Sequence, residues 1–403
     1  MVKKKIIALI LIILLLVPGL NFAADEEEID YIWLQEEITS AKEAGEPVVY
    51  SKAAVVYDRG SKTILYGKNE NEKLAMASTT KIMTAILLVE NRDLNVEVEV
   101  VKEAAQVGGS SLELKTGDKL TYEALLYGLM LCSGNDAAAQ IAISIAGSIE
   151  EFADLMNSKA ELLGLENTHF ITPHGLDEDG HYTTAYELAV LSDYALKIPK
   201  IAEVVATKTY TVLINGKPRN LINTNELLGY LEGVNGVKTG FTSNAGRCLV
   251  SSTNRDGFNI ITVVLGADTK KIRTKDSINL IEYIYKNYEI VDLQGKIEEE
   301  FEKWQRNNIH KINIIKGKKG EIEVELGDIK YKKYPVKKAE KESINVKSFI
   351  RNNTLEAPVR KGHILGNIEL LIAENTIMNV EIKNKNEMEK KNIKEYILEL
   401  LKI

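Results

Sequence analysis

The chain has 403 residues, of which 45% are hydrophobic and 27% are charged, the balance of a soluble globular protein. Its formal net charge is −7, with acidic and basic residues mixed along the chain. A nucleic-acid-binding protein would show a basic face, so we expect no nucleic-acid partner. The length exceeds that of one ordinary domain and predicts two folded units with flanking segments.

The N-terminal segment has the pattern of a secretory signal. Three lysines at positions 3–5 precede an apolar run over residues 6–17, and small residues follow at Ala23 and Ala24. The run is short for a membrane span, and the basic, apolar, small-residue order is typical of a signal peptide. We therefore expect residues 1–24 to be a signal peptide and the protein to be exported. An uncleaved anchor stays open as the alternative.

Cys132 and Cys248 are the two cysteines of the chain. An exported protein of this size does not need a disulfide bond to hold its core. We expect two buried free thiols, and a single disulfide bridge stays open as the alternative.

Between residues 25 and 291 the pattern predicts strands at both ends with helices between them. Residues 53–57 and 63–66 flank a polar turn and predict a hairpin. Thr79 to Glu90 is apolar almost all round, which indicates a buried helix. Apolar residues at helical spacing predict further helices at about 121–131, 136–146, 149–163 and 184–197, and near 274–287. Extended runs lie at about 207–213, 235–242, 246–253 and 258–265. This order predicts an α/β (α+β) fold, one antiparallel sheet flanked by helices.

Beyond residue 291 the pattern changes to short extended runs separated by Gly, Lys and Asn. These runs predict a small all-β domain over residues 292–385, with strands at 310–315, 321–326, 343–348, 367–372 and 377–382. Residues 386–403 return to a helical pattern. The apolar face of that predicted helix is formed by Ile393, Tyr396, Ile397, Leu400 and Leu401.

Ser78 and Lys81 open the predicted buried helix in the sequence Ser-Thr-Thr-Lys. Residues three apart share a helix face, and the free N–H groups of the helix start surround the serine oxygen. The neighbours of Lys81 are apolar, and burial lowers the pKa of an amine. A neutral amine beside a serine is a workable general base, so the pair is a candidate nucleophile and base. For this motif alone, an ordinary helix start with an N-cap serine stays open.

Ser133 and Asn135 form a second short motif, Ser-Gly-Asn, between two predicted helices. A loop at that place can present a hydroxyl and an amide to the same cleft. The pattern is weak on its own, because three other Ser-x-Asn tripeptides occur in the chain. Its position after the buried helix distinguishes it.

Lys238, Thr239 and Gly240 form the third motif, inside a predicted strand. Lys and Thr offer a cation and a hydroxyl to a carboxylate, and Gly lets a substrate backbone approach closely. The same tripeptide occurs at 115–117, but there it precedes the Ser-Gly-Asn loop and leads to a helix. We interpret that copy as a turn.

The order S-x-x-K, S-x-N and K-T-G resembles the active-site serine penicillin-recognising family. More narrowly, the chain is similar to the low-molecular-mass D-alanyl-D-alanine carboxypeptidases over about residues 50–290. The segments that carry this similarity are ASTTKIMTA (77–85), SGNDAA (133–138), PHGLDEDG (173–180) and GVKTGFTSNAG (236–246). The segment APVRKGHILGNIELL (357–371) is similar to that family's C-terminal β domain.

The resemblance implies a serine β-lactamase/transpeptidase-like fold and the removal, without a cofactor, of D-alanine from peptidoglycan stem peptides ending in D-Ala-D-Ala. It implies that Ser78 attacks the carbonyl between the two D-alanines and that Lys81 takes the serine proton. Ser133 would relay a proton to the leaving amine, and Asn135 would hold the peptide amide. β-Lactam antibiotics would acylate the same serine.

The resemblance also implies the substrate-binding residues. Lys238, Thr239 and Gly240 would engage the terminal region of the substrate, and backbone N–H groups of Ser78 and Phe241 would form the oxyanion hole. Phe241 stands where relatives carry histidine, which we expect to do little harm because the backbone does the work. Arg273 matches an arginine that binds the terminal carboxylate in this family. A surface arginine at a helix start is the alternative for Arg273.

Other enzymes and a binding protein share these motifs. A β-lactamase would place a glutamate near the acyl-enzyme, and we find no clear counterpart between Ser133 and Lys238, since Glu187 lies in a predicted helix. A non-catalytic penicillin-binding sensor or scaffold is disfavoured by the intact Lys81, Asn135 and Lys238. The motifs do not separate a carboxypeptidase from a transpeptidase or endopeptidase.

Three histidines and the C-terminal segment complete the predictions. His169, His174 and His181 lie near acidic residues, but their spacing fits no compact zinc motif, so we expect no metal. His174 belongs to a segment that we interpret as structural support for the cleft. The amphipathic segment 386–403 has a basic flank, which favours the outer face of the cytoplasmic membrane over packing on the β domain.

Overall fold

The computed structural model describes residues 29–318 and 322–401, and the predicted signal peptide, 1–24, lies outside them. The chain divides into two compact units. The first contains the described residues up to Val56, Tyr66–Thr253 and Ile261–Leu280. The second contains Tyr57–Leu65, Asn254–Ile260 and the residues from Ile281 onward. The predicted domain boundaries stay predictions.

The helices and strands follow the chain in this order. The helices are α1 (Tyr31–Glu43), α2 (Lys81–Asn91), α3 (Lys102–Ala105), α4 (Tyr122–Met130), α5 (Asn135–Ala146), α6 (Ile149–Leu162), α7 (Ala185–Ala195), α8 (Pro199–Ala206), α9 (Lys270–Asn287), α10 (Leu293–Asn308) and α11 (Ile393–Leu400). The strands up to residue 292 are β1 (Ala53–Asp58), β2 (Ile64–Lys68), β3 (Glu97–Glu99), β4 (Lys119–Thr121), β5 (Thr209–Ile214), β6 (Lys217–Ile222), β7 (Val234–Thr242), β8 (Gly246–Arg255), β9 (Phe258–Ala267) and β10 (Tyr288–Asp292). The later strands are β11 (Asn313–Ile315), β12 (Val324–Leu326), β13 (Lys333–Lys337), β14 (Asn345–Ile350), β15 (Thr354–Glu356), β16 (Ile364–Ile372) and β17 (Asn375–Asn384).

A five-stranded sheet is formed by strands that lie between residues 53 and 267. Its strand order is β2-β1-β9-β8-β7, so β7 is an edge strand, and β7 pairs antiparallel with β8. Strands β1, β8 and β9 are almost continuously buried, which fits a sheet covered on both faces. The predicted antiparallel sheet flanked by helices is confirmed.

Helix α2 lies at the centre of the helical layer. Every residue from Lys81 to Leu88 is buried, as the all-round apolar pattern predicted. It packs against α4, α5 and α7. The four helices predicted between residues 121 and 197 correspond to α4–α7. The short α8, which begins with Pro199, was not predicted as a separate helix.

The second unit contains a four-stranded sheet of order β12-β17-β16-β14, with all three strand pairs antiparallel. The predicted C-terminal β domain is confirmed. Helix α10, which the sequence analysis did not predict, also belongs to this unit. It buries Leu293, Ile297 and Trp304, and the Trp304 Nε1 donates to the carbonyl of Phe349 at 3.2 Å. Most of its other residues are charged or polar, so its apolar face is sparse.

The C-terminal helix is shorter than predicted. Residues 386–392 are not helical, because Met388 exchanges backbone hydrogen bonds with Val359 and holds the segment against the β domain. Helix α11 begins at Ile393, after Asn392, whose side chain accepts from the Glu395 N–H at 2.9 Å. Within residues 29–318 and 322–401, no helix has the length and apolar character that a transmembrane span requires.

Candidate active site

Ser78 and Lys81 meet at the start of α2. Ser78 lies in a short 3-10 helix, Ala77–Thr80, that leads directly into α2 at Lys81. The Lys81 Nζ lies 2.7 Å from the Ser78 Oγ, 2.8 Å from the Asn135 Oδ1 and 2.7 Å from the carbonyl oxygen of His174. Three separate segments of the chain therefore converge on one nitrogen.

These contacts constrain what Lys81 can do. The Asn135 Oδ1 and the His174 carbonyl oxygen can only accept hydrogen bonds, so they take two N–H groups of the lysine. A neutral amine has no third N–H, and its lone pair then faces the Ser78 hydroxyl. In that state Ser78 donates to Lys81, which is the arrangement of a nucleophile and its general base.

The environment of Lys81 favours the neutral amine. Burial lowers the pKa of Lys81 well below its ordinary value of 10.5, and the nearby Lys238 lowers it further. Asp136 acts in the opposite direction, but burial is the largest effect. The predicted lowering of the pKa by apolar neighbours is therefore present in the structure.

The Ser-Gly-Asn loop is held rigidly by its own hydrogen bonds. Asn135 begins α5, and its Nδ2 donates to the carbonyl of Gly108 at 2.7 Å, which leaves its Oδ1 for Lys81. The buried Asp136 carboxylate accepts from the backbone N–H groups of Leu112 and Leu114 at 2.8 and 2.9 Å. Ser133 is buried and has a positive φ of 61°, a conformation that costs free energy for a non-glycine residue. The surrounding bonds maintain it.

Strand β7 brings the Lys-Thr-Gly motif to the serine. A Cβ placed on Gly240 would lie 3.0 Å from the backbone nitrogen of Ser78 and 3.2 Å from the carbonyl oxygen of Met76. Only glycine permits this approach, so the motif glycine sets the distance between β7 and the start of α2. Phe241 is the next residue, with the Arg247 guanidinium 3.6 Å above its ring. The copy at 115–117 forms a turn, as predicted.

Lys238 supplies a second buried amine. Its Nζ donates to the carbonyl of Thr239 at 3.1 Å, and burial lowers its pKa to about 7. An arriving carboxylate would raise that pKa again, because the ammonium form would gain a partner. The Thr239 hydroxyl is hydrogen-bonded to that of Thr224 at 2.6 Å.

Arg273 is not a surface residue. It lies in the first turn of α9, it is 2% exposed, and its Nη2 donates to the carboxylate of Glu226. Its charge also lowers the pKa of the buried Lys238. The structure therefore places Arg273 near the Lys-Thr-Gly motif but already paired with a carboxylate.

The segment around His174 supports the cleft, as predicted. Gly175 has φ +82°, and a Cβ there would lie 1.9 Å from the carbonyl oxygen of Ala77, so this loop packs directly on the start of α2. His181 Nδ1 accepts from the Ile171 N–H at 2.9 Å, which leaves its Nε2 to bond the Thr80 hydroxyl at 2.8 Å. Burial lowers the pKa of His174 to about 3 and that of His181 to about 4. Both rings are neutral structural groups at physiological pH.

Three contributors to the site were not predicted from the sequence. The carbonyl of His174 is a backbone atom, and residue type gives no signal for its role. Thr224 and Glu226 lie outside the three motifs, and only the fold brings them to Thr239 and Arg273.

Both cysteines are free thiols, so the disulfide alternative is wrong. Cys248 is buried, and Cys132 is partly buried, with its thiol donating to the carbonyl of Gly128 at 3.1 Å.

Comparison with known proteins is consistent with this geometry. The family model described as D-alanyl-D-alanine carboxypeptidase (peptidase S11) matches residues 40–269, and the model of the penicillin-binding protein 5 C-terminal domain matches residues 302–390. The chain belongs to the D-alanyl-D-alanine carboxypeptidase family. It is a serine-type D-Ala-D-Ala carboxypeptidase, as the motifs predicted.

Individual relatives cover most of the chain. The D-alanyl-D-alanine carboxypeptidase DacF of Bacillus subtilis is 35% identical over 84% of this chain and 86% of its own length. The crystal structure of DacD from Francisella tularensis is 25% identical, covers 93% of this chain and all of its own, and gives a TM-score of 0.69. The Streptomyces K15 DD-transpeptidase structure is 33% identical over 60% of this chain and 98% of its own, with a TM-score of 0.57.

The structure also accounts for Glu187, the glutamate considered for a β-lactamase. It is buried in α7, and its carboxylate accepts from the Asn167 N–H at 2.8 Å and from the Thr168 hydroxyl at 2.6 Å. These bonds hold the loop that precedes α7. Both the comparisons and this contact favour the carboxypeptidase.

The role of Lys81 in this carboxypeptidase can be tested with Lys81→Arg, which keeps a cation but cannot act as a base. We expect acylation of Ser78 by benzylpenicillin to slow by about 10²- to 10⁴-fold, the usual contribution of a general base. In the unmodified protein the acylation rate should rise with pH as Lys81 loses its proton. It should level off well below pH 10.5, because the pKa is depressed. Mass spectrometry of the adduct across the neutral and alkaline range measures both. An arginine variant acylated at the unmodified rate would contradict the assignment.

Proposed function

We propose that this carboxypeptidase removes the terminal D-alanine from peptidoglycan pentapeptide stems through an acyl-enzyme on Ser78. The observation that supports this most strongly is the position of the Lys81 Nζ, which lies 2.7 Å from the Ser78 Oγ. Its two other hydrogen-bond partners, the Asn135 Oδ1 and the His174 carbonyl oxygen, can only accept. A serine held in this way is activated without a histidine or a metal. Substrates ending in D-Ala-D-Ala fit the family to which the chain belongs.

Acylation proceeds in two steps. The Ser78 Oγ attacks the carbonyl carbon between the two D-alanines while its proton moves to the Lys81 Nζ. The negative oxygen that forms is stabilised by the backbone N–H groups of Ser78 and Phe241, a contribution of about 3–4 kcal/mol where one such donor has been removed. The carbon–nitrogen bond then breaks, and the proton passes from Lys81 through the Ser133 hydroxyl to the leaving amine. D-Alanine departs and the peptide remains as an ester on Ser78.

Deacylation uses the same base. Water loses a proton to the neutral Lys81 and attacks the ester carbonyl, and the oxyanion is held at the same two N–H groups. Collapse breaks the bond to the Ser78 Oγ, which regains its proton from Lys81. The shortened peptide leaves, and the enzyme returns to its starting state.

The substrate is held by strand pairing and by charge. The outer edge of β7 faces no other strand of the described sheet, so the peptide can pair with it as an added strand. Asn135 holds the peptide amide, and Gly240 permits the close approach. Lys238 and Thr239 of β7 receive the terminal carboxylate together with Arg273 of α9, whose charge acts on the buried Lys238.

β-Lactams acylate Ser78 by the same attack and occupy the same cleft. Peptidoglycan lies outside the cytoplasmic membrane, so we place the protein there, in agreement with the predicted export signal. A sensor or scaffold that is only acylated by penicillin would need the same base, so the family to which the chain belongs, rather than these residues, favours the carboxypeptidase. Transpeptidation is a second reaction of the same acyl-enzyme, with an amine as acceptor, and the related Streptomyces K15 protein is known as a DD-transpeptidase.

The decisive test of the proposed reaction is D-alanine release from diacetyl-Lys-D-Ala-D-Ala. We expect release by the unmodified protein and loss of at least about 10³-fold in Ser78→Ala, because the acyl-enzyme cannot form. Thr79→Ala is the matched control, since the Thr79 hydroxyl donates to the carbonyl of Met76 and does not contact Lys81. Release that survives in Ser78→Ala would contradict the nucleophile. Penicillin labelling of Ser78 without any release would support the sensor instead.

We further propose that α11 binds the outer face of the cytoplasmic membrane. Ile393, Ile397 and Leu401 are 80%, 51% and 61% exposed, so this part of the apolar face is not packed on the β domain. Lysines at 390, 391 and 394 surround the face and suit an anionic lipid surface.

The membrane proposal predicts that the full chain sediments with anionic vesicles and that a chain ending at Asn392 does not. Ending at Asn392 keeps the Met388 backbone pairing with Val359 and so preserves the β domain. Ile393→Asp with Ile397→Asp is a matched full-length control, and it should also lose binding because it removes the apolar contribution. Equal sedimentation of all three chains would contradict the proposal.

A further inference from the structure

Glu226 pairs with Arg273, the arginine that we propose binds the terminal carboxylate of the substrate. The Nη2 of Arg273 donates to the Glu226 Oε1, and the neighbouring Thr274 hydroxyl donates to the same oxygen. The Glu226 side chain is 13% exposed, whereas Arg273 is almost completely buried. The arginine is therefore neutralised within the protein before any ligand arrives.

The segment that carries Glu226 is attached to the substrate-binding strand. The Thr224 hydroxyl bonds that of Thr239 at 2.6 Å, and the Asn225 Nδ2 donates to the carbonyl of Gly236 at 3.0 Å. Thr239 and Gly236 both belong to β7. Glu226 thus follows two residues that are fixed to the strand bearing the Lys-Thr-Gly motif.

The pairing of Glu226 with Arg273 is incomplete. Both donors use the Oε1, and the buried Oε2 has no hydrogen-bond partner among the described residues. The Nε of Arg273 is likewise without one in the part of the chain that the structure describes. A bidentate arginine–carboxylate pair would satisfy all of these atoms and would be harder to open. The arginine retains an unused donor.

We propose that Glu226 is a displaceable counter-ion that competes with the terminal carboxylate of the substrate for Arg273. When the substrate carboxylate binds, Glu226 releases Arg273. The affinity of the cleft for ligands ending in a carboxylate is then set by this competition, and Glu226 is a specificity-determining residue. This inference rests on the proposed function, in which Arg273 receives that carboxylate.

The competition predicts different effects on two ligands that differ in one charge. Benzylpenicillin carries a carboxylate, and its methyl ester does not. Glu226→Gln keeps the shape and the acceptor oxygen but removes the negative charge that opposes the ligand. We expect the second-order rate constant for Ser78 acylation by benzylpenicillin to rise about threefold to tenfold, because like-charge repulsion is removed. The rate constant for acylation by the methyl ester should stay unchanged.

Two control variants distinguish competition from a merely structural role. Glu37→Gln removes another carboxylate that pairs with α9, at Lys275, and should leave both rates unchanged. Glu226→Asp keeps the charge. The ratio of its acylation rate by benzylpenicillin to that by the methyl ester should be close to the ratio of the unmodified protein. If Glu226→Gln lowers both rates together, or leaves their ratio unchanged, Glu226 only supports the fold and the proposal is overturned.

D-Alanine release by the unmodified protein, measured alongside, separates this inference from the proposed function. If D-alanine is released but Glu226→Gln leaves the ratio of the two acylation rates unchanged, only the role of Glu226 is overturned. Acylation without release would overturn the carboxypeptidase assignment, while the ratio of the two acylation rates would still decide whether Glu226 competes for Arg273.

Discussion

The complete burial of Lys81 is the constraint on which the rest of the site depends. An ammonium withdrawn from water is costly unless it is paired, and no carboxylate contacts this nitrogen among the hydrogen bonds and ion pairs of the described residues. The protein provides neutral acceptors instead, one from the start of α5 and one from the loop at His174. Each segment must reach the same point, so the positions of both are fixed relative to α2. Burial thus favours the lysine without its extra proton, the form that the proposed general base requires.

Backbone strain is found beside Ser78 and at Ser133. Ala77 and Ser133 have φ values of 48° and 61°, which L-residues rarely adopt. Such conformations persist only where the surroundings hold them, and here the Gly175 loop packs on the carbonyl of Ala77 while Asp136 fixes the loop that contains Ser133. The second buried amine, Lys238, adds repulsion that lowers the pKa of Lys81 further. The cleft thus contains polar groups with few hydrogen-bond partners in the protein. A substrate carboxylate and amide can supply the missing partners.

Much of this arrangement could be predicted from the sequence. The features that could not be predicted have physical reasons for leaving no local pattern. Ser78 and Lys81 are three residues apart where a 3-10 turn leads into α2, so their contact follows from local helical geometry. The His174 carbonyl and Glu226 act through long-range packing, which no local pattern encodes. Helix α10 was missed because its apolar residues are few among many charges, although Leu293, Ile297 and Trp304 have helical spacing. Residues 386–392 look helical by composition, but backbone pairing of Met388 with Val359 and of Lys390 with Gly317 takes the place of a helix there.

The most direct test of this account is the titration of Lys81 itself. Lysine-labelled full-length protein, with the Lys81 signal assigned by its loss in Lys81→Arg, would report the protonation of the Nζ by NMR across the pH range. The account predicts a midpoint well below 10.5, the ordinary lysine value, because burial disfavours the ammonium form. A midpoint at or above that value would show a charged lysine beside the serine and would contradict the proposed base.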